Sequence, residues 1–497
     1  MPRFDPLSRV LGCFAAILGT ITAAVYWRAG LSLSHYDAKA HLVVARRIFD
    51  SLTPGWEQVG AVWLPLPHLL NALPVQIDWM YRTGASAIAI SIVSFAITVA
   101  CISAIVRTVT GSRTGAILAA TVFAFNPNVL YLQSTPMTEP LLFALSALVV
   151  LHLAQWAMSP APADANQGVR VRPAVCWTIV AACLTRYEAW PITGAAMVLA
   201  GWVKWRRGTG FAAVLRESTA LALCAAGTAL FFMGLSFATT GQWFVTGGFY
   251  VPDPKLQGQP LAVYDAIRQG LADLAGPRFV QFATWSIPII IIASLLRRSW
   301  SGLILPVALV ASAALPFYAY LSGHPFRIRY EVPLILGCAV CLGAAVSMLR
   351  FAAPLVAIPM LALVMVQAPS FDPDLAPVVV EAQLDLANSV GRRTVTTCLQ
   401  QQYDHSTIMV SMGSLAHYMQ ELSHHGFDLA DFLHEGSGPM WAVALHQDPS
   451  LVAGWILIEE AAEGGDRLYQ IAKQWPGFLS GYQRVCEGGN VALYRRK

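Results

Sequence analysis

This 497-residue sequence is poor in charge: Asp, Glu, Lys and Arg supply 12% of it, against 56% hydrophobic residues. A soluble domain carries about 25% charged residues, so a surface bathed wholly in water is excluded. The net charge is only +4, and no basic stripe is long enough to follow a nucleic-acid backbone, which excludes nucleic acid as a partner. The sequence has no Gly-x-x-x-x-Gly-Lys phosphate loop and no His-Glu-x-x-His helix, which argues against an ATP-driven pump and a zincin. Internal repeats are absent, and biased composition is confined to a Pro/Ala-rich stretch at 159–168. None of the nine cysteines has zinc-ligand spacing with histidine partners. Seven of them, from Cys13 to Cys341, lie in or beside apolar runs and read as small buried hydrophobes. Cys398 and Cys486 lie in a polar C-terminal region, where a disulfide can form if that region is outside the cytoplasm.

What the chain has in quantity is apolar runs long enough to cross a bilayer, about 20 residues each. Eleven are expected, near 10–27, 84–106, 114–132, 140–157, 174–187, 190–204, 217–238, 280–296, 301–320, 332–348 and 351–368. The first follows Arg3 and Arg9 but has no small-residue cleavage site, so it reads as a span and not a signal peptide. Basic residues fall in every second loop: Arg107 and Arg113, Arg170 and Arg172, Lys204 to Arg216, Arg297 and Arg298, and Arg350. These loops are expected to face the cytoplasm together with the N-terminus. An odd number of spans then places the tail, about 371–497, on the other side, in an inner (plasma) membrane.

Two of the outer loops are long, 28–83 and 239–279. Ala40 to Phe49 has the spacing of an amphipathic helix that can lie in the membrane interface, and Leu261 to Leu274 is amphipathic too. The tail reads as a small α/β domain. Strands are expected at Thr394–Leu399, Thr407–Ser411, Trp441–Leu445, Trp455–Glu459, Tyr482–Glu487 and Val491–Arg495. Helices are expected at Ala376–Ser389, Ser414–Ser423 and Asp466–Gln474.

The outer loops also hold the unusual polar residues. Asp37 opens the first-loop helix; it can cap that helix or take a proton from an acceptor hydroxyl during an inverting sugar transfer. Glu139 starts the fourth span, where it complements the helix dipole, yet an ionisable group at that depth is costly and points to function. Asp37 and Glu139 could share a divalent metal such as Mg or Mn, or split acid and base roles. Arg186 and Glu188 interrupt an apolar stretch, as a salt bridge or as substrate-positioning groups. Arg327 and Arg329, flanked by His324 and Tyr330, break the charge rule, and guanidinium forks suit phosphate oxygens. His35, Lys39, His41 and His68 complete the positioning set. The tail histidines 405, 417, 424, 425 and 434 fit no metal-ligand template.

The segment His35-Tyr36-Asp37-Ala38-Lys39-Ala40-His41-Leu42, followed by Trp63-Leu64-Pro65-Leu66-Pro67-His68, resembles the first outer loop of GT-C membrane glycosyltransferases. It is most similar to the bacterial family 39 type, related to protein O-mannosyltransferases and lipid A aminoarabinose transferases. Asn126-Pro127, Thr138-Glu139-Pro140, Leu184 to Glu188 and Arg329-Tyr330 follow in the expected order, so the resemblance spans about residues 1–350. It implies a polyprenyl-phosphate sugar donor, a glycan, lipid or protein acceptor, and hexosyl or pentosyl transfer. It implies Asp37 as general base and the Arg327/Arg329 region, with Tyr330, as the donor-phosphate site. Where such enzymes often carry two adjacent acids, Ala38 follows Asp37 here, which weakens a metal role. A transporter or flippase of a lipid-linked sugar is the other reading, but it would favour internal repeats. A membrane scaffold presenting the tail is a third.

Overall fold

The computed structural model describes residues 4–159, 173–245, 252–461 and 465–497. Arg3, Arg170, Arg172 and most of the Pro/Ala-rich stretch lie outside them. Among the described residues, eight helices are long and apolar enough to cross a membrane: Pro6–Arg28, Ala85–Thr110, Glu139–Met158, Phe211–Thr240, Pro277–Leu296, Arg298–Leu321, Ile328–Ser347 and Arg350–Gln367. The other three expected spans are also helical but fall outside that set. Pro173–Cys183 has 11 residues, and Ala189–Arg206 carries Lys204 and Arg206 in its last turn. The expected span at 114–132 is broken: Arg113–Ala124 ends, and Asn126 accepts from the backbone N–H groups of Asn128 and Val129 to start a new helix at Pro127. Proline at the first turn costs no hydrogen bond, which is why it opens so many of these helices.

The spans differ widely in how deeply they sit in the bundle. The Ile328–Ser347 helix is the most enclosed, with 89% of its apolar window buried, against 17% for Arg350–Gln367. It crosses Arg113–Ala124 with Gly343 against the backbone of Gly115, an approach any side chain would block. Among the described residues, basic loops pair at the helix ends: Arg107 pairs with Asp5 at 3.0 Å, and Arg206 donates to the Leu295 carbonyl at 2.8 Å.

The tail begins with a 26-residue helix, Pro377–Gln402, followed by a five-stranded sheet. The strands are β1 (Ile408–Val410), β2 (Phe432–Leu433), β3 (Trp455–Glu459), β4 (Tyr482–Gly488) and β5 (Val491–Arg496), in the order β2-β1-β3-β5-β4. β1 runs parallel to both β2 and β3, while β5 is antiparallel to β3 and β4. Side chains alternate across it: Ile408, Val410, Trp455 and Leu457 enter one core, and Met409, Ile456 and Ile458 the other.

Two expected strands are helical. Thr394–Leu399 lies inside the Pro377–Gln402 helix, because Val395 and Leu399, one turn apart, fall on one buried helical face, and that packing overrides the β-branched run. Trp441–Leu445 belongs to the helix Pro439–His446, opened by Pro439. Gly391 sits mid-helix because a Cβ there would come 2.9 Å from the Gly489 Cα of the β4–β5 turn. Cys398 on the same helix is disulfide-bonded to Cys486 on β4, their Cα atoms 6.7 Å apart.

The first-loop helix, Tyr36–Arg46, departs from its expected place. It is buried from Ala38 to Arg46 and does not lie open on an interface. Ala40, Leu42, Val43 and Ala45 share a core with Leu415, Met419 and Leu422 of the helix Met412–Leu422. Loop and tail are thus one packed unit.

Candidate functional site

Four separated segments bring their charged residues together at the end of the bundle away from the basic loops. His35 caps the first-loop helix, its Nδ1 accepting from the Asp37 N–H at 3.2 Å, and this sets Asp37 in the first turn. Glu139 begins its helix fully buried. Arg186 and Glu188 occupy the turn between Pro173–Cys183 and Ala189–Arg206, and Arg329 the short helical turn Ile328–Glu331.

The contacts close a network. Arg329 Nη2 lies 2.5 Å from Asp37 Oδ2, and its Nη1 lies 3.5 Å from Glu139 Oε1. Arg186 approaches the same Glu139 oxygen at 3.2 Å, pairs with Glu188 at 2.8 Å, and donates to Thr138 Oγ1 at 2.9 Å. The tail adds Glu381, whose Oε2 is 3.5 Å from His35 Nε2 and 4.0 Å from Arg329 Nε. Asp385, one turn on, accepts the Tyr36 N–H at 2.9 Å. Burial pushes the Asp37 carboxyl up, but Arg329, His35 and Arg186 outweigh it and hold it below the usual carboxylate range. Glu381 follows the same balance, with His35 and Arg329 outweighing its burial.

The other expected residues take distinct places. His41 and His68 form a pair at 3.0 Å beside Trp63, lining a small pocket that also includes Thr138. Tyr330 stacks on Tyr320 and meets the His324 ring at a tilt, within electrostatic reach of Asp37, Arg186 and Glu188. Arg327 is half-buried, close enough to act on the Tyr36 phenol. Lys39 is not part of the cluster. Two residues past Asp37, it points to the opposite side of the helix and pairs with Glu421 of the tail at 2.6 Å.

The metal candidates Asp37 and Glu139 are each met by guanidinium groups, which repel a cation. Among the described residues no group of three His, Cys, Asp or Glu side chains is placed to hold a metal ion.

Glu381 and Asp385 were not anticipated. Their signal is the i, i+4 spacing on an amphipathic helix directly after the last span, which puts both carboxylates on one face.

No family model matches the sequence, and no curated protein matches it. Among solved structures, the chain is similar to ArnT from Cupriavidus metallidurans bound to undecaprenyl phosphate, with 12% identity and a TM-score of 0.56 over 96% of this chain and 97% of that one. It is similar to the apo state of that protein at 11% identity and a TM-score of 0.54, with the same coverage. At such identity the likeness is one of fold, and it runs the length of the chain: this is a polytopic helical membrane protein with a C-terminal sheet domain.

Proposed function

We propose that the protein is a membrane glycosyltransferase that moves a sugar from a polyprenyl-phosphate donor to an acceptor hydroxyl outside the cytoplasm, inverting the anomeric carbon. One observation carries this reading: Asp37, Glu139, Arg186, Glu188 and Arg329 converge in one buried cluster on a fold shared with a protein that binds undecaprenyl phosphate. The basic loops at the opposite end support a cytoplasmic N-terminus. The disulfide supports an oxidising compartment for residues 371–497, taken as an extracytoplasmic domain on a 1–370 membrane domain.

Asp37 acts as general base. It accepts the proton of the acceptor hydroxyl as that oxygen bonds to the anomeric carbon, while the bond from that carbon to the donor phosphate oxygen breaks. The polyprenyl phosphate leaves with the electron pair. Arg329 is committed to Asp37 before the donor arrives. When the phosphate takes the guanidinium, aided by half-buried Arg327 at the rim, Asp37 loses its main counter-charge and becomes more basic. Glu139, shared by Arg186 and Arg329, holds both forks in place. Tyr330, His324, His35, His41 and His68 surround the substrates.

The test is to incubate the purified protein with radiolabelled polyprenyl-phosphate sugars and membrane extract. Transfer of label by the wild type, with a loss of about 10²-fold or more in Asp37→Asn, supports the reading. Equal transfer by both variants ends it.

A further inference from the structure

Arg47 closes the first-loop helix as its C-cap and is 4% exposed. The other arginines buried to that degree, Arg46, Arg329 and Arg392, each meet a carboxylate. Arg47 does not: among the described residues no carboxylate lies at ion-pair distance, its Nε has no partner, and its Nη1 meets only the thioether of Met412 at 2.6 Å. A thioether is a weak acceptor. The carboxylate that acts on Arg47, that of exposed Glu435, stays beyond ion-pair distance and accepts instead from the Ser411 hydroxyl and the Met412 N–H, and a buried charge with no closer counter-charge is costly to keep.

The surroundings repeat the pattern. His434, fully buried, accepts the Gly436 N–H on Nδ1 at 3.0 Å. A neutral ring then carries its proton on Nε2, and that N–H has no acceptor. Burial first, and the nearby Arg47 charge second, push both His434 and His68 down to about 3, so the two imidazoles are neutral beside the guanidinium. Gly60 leaves the outer edge of that guanidinium clear, since a Cβ there would come 3.0 Å from Arg47 Nη2. His68 leads through His41, 3.0 Å away, toward Arg186 and Arg329.

We infer that Arg47 and the Nε2–H of His434 form a second oxyanion site, separate from the donor-phosphate site, which binds a phosphate or carboxylate group of the acceptor. The word acceptor rests on the transferase reading above; the oxyanion site does not. A guanidinium fork beside a single N–H matches either oxyanion, and the histidine pair connects the site to the cluster around Asp37.

Thermal unfolding of the full-length protein in detergent tests it. Inorganic phosphate and acetate are titrated at constant ionic strength, and undecaprenyl phosphate is added separately in mixed micelles, with Arg47→Met run alongside. Saturable stabilisation of the wild type by one of the two small anions is expected, and its identity separates phosphate from carboxylate. Arg47→Met should lose that response, keep its response to undecaprenyl phosphate, and melt no lower than the wild type in the absence of anions. That last result separates a ligand-seeking charge from a structural one. The inference is overturned if the wild type responds to neither anion, if Arg47→Met responds as the wild type does, if it melts clearly lower, or if it loses the undecaprenyl phosphate response too. If undecaprenyl phosphate stabilises neither protein while a small anion still acts through Arg47, the donor reading falls and the oxyanion site stands.

Discussion

Arg329 Nη2 and Asp37 Oδ2 lie 2.5 Å apart although 292 positions separate them in the chain. The proposed base and the proposed phosphate ligand are therefore partners before any substrate is present. Asp37→Asn should lower transfer by about 10²–10⁴-fold, the range for loss of a general base. It should also tighten undecaprenyl phosphate binding, because Arg329 no longer has to leave a carboxylate. Arg329→Gln should weaken that binding. Measured dissociation constants that move the other way in both variants would count against the exchange of partners.

Glu421 holds two buried cations, Lys39 at 2.6 Å and Arg392 at 2.7 Å, and so fastens the first-loop helix to the tail. Its own carboxyl is held below the usual range, Lys39 and Arg392 outweighing burial. Glu421→Ala strands both cations, and breaking such a buried pair costs about 3–5 kcal/mol. A large fall in melting temperature and faster proteolysis of the tail are expected. An unchanged melting curve would show that this ion triad does not secure the docking.

The Cys398–Cys486 bond closes a loop of 88 residues. A loop of that size gives about 4–5 kcal/mol by chain entropy, and typical bonds deliver about 2–4. Cys398→Ser should lower the melting temperature of the tail, as should reduction, with the first-loop core following because it is shared. Mass spectrometry of alkylated peptides checks the pairing directly.

Burial pushes His68, His417 and His434 down to about 3, and His41 well below its ordinary value. An unfolded imidazole titrates near ~6.5. Between those values the unfolded chain binds more protons than the native one, so stability rises with pH across the window. It is complete above about pH 6.5 and lost progressively on acidification, by roughly 1.4 kcal/mol per histidine per pH unit. Melting temperatures measured from pH 7 to 4.5 should fall steeply. His417→Asn should flatten the fall, and an identical slope in that variant would remove His417 from the account.

Eight of the eleven expected spans and the gathering of the polar loops at one end of the bundle were legible because both are written in local composition: apolar length for one, alternating Lys and Arg for the other. Asp37, Glu139, Arg186 and Arg329 stood out as charges where charge is expensive. What local patterns cannot carry is who meets whom. Lys39 is two residues from Asp37, yet helix geometry turns it to the tail. Glu381 looks like any acid on an amphipathic helix until the tail folds back on the first loop. Thr394–Leu399 has strand-like composition and is helical, because Val395 and Leu399, one helical turn apart, share one buried face. Arg47 reads as one more loop cation, and only the lack of a carboxylate at ion-pair distance among the described residues sets it apart.

The Pro377–Gln402 helix has a consequence for biosynthesis. The charge cluster draws on residues 37, 139, 186, 188, 329 and 381, and the last of these leaves the ribosome after every span. A nascent chain that has threaded its whole bundle into the bilayer still lacks the carboxylate that faces His35 and the helix that carries it. The cluster closes only once the final quarter of the polypeptide is translated and packed against the first loop, so a chain that stops early is left in the membrane with the cluster open.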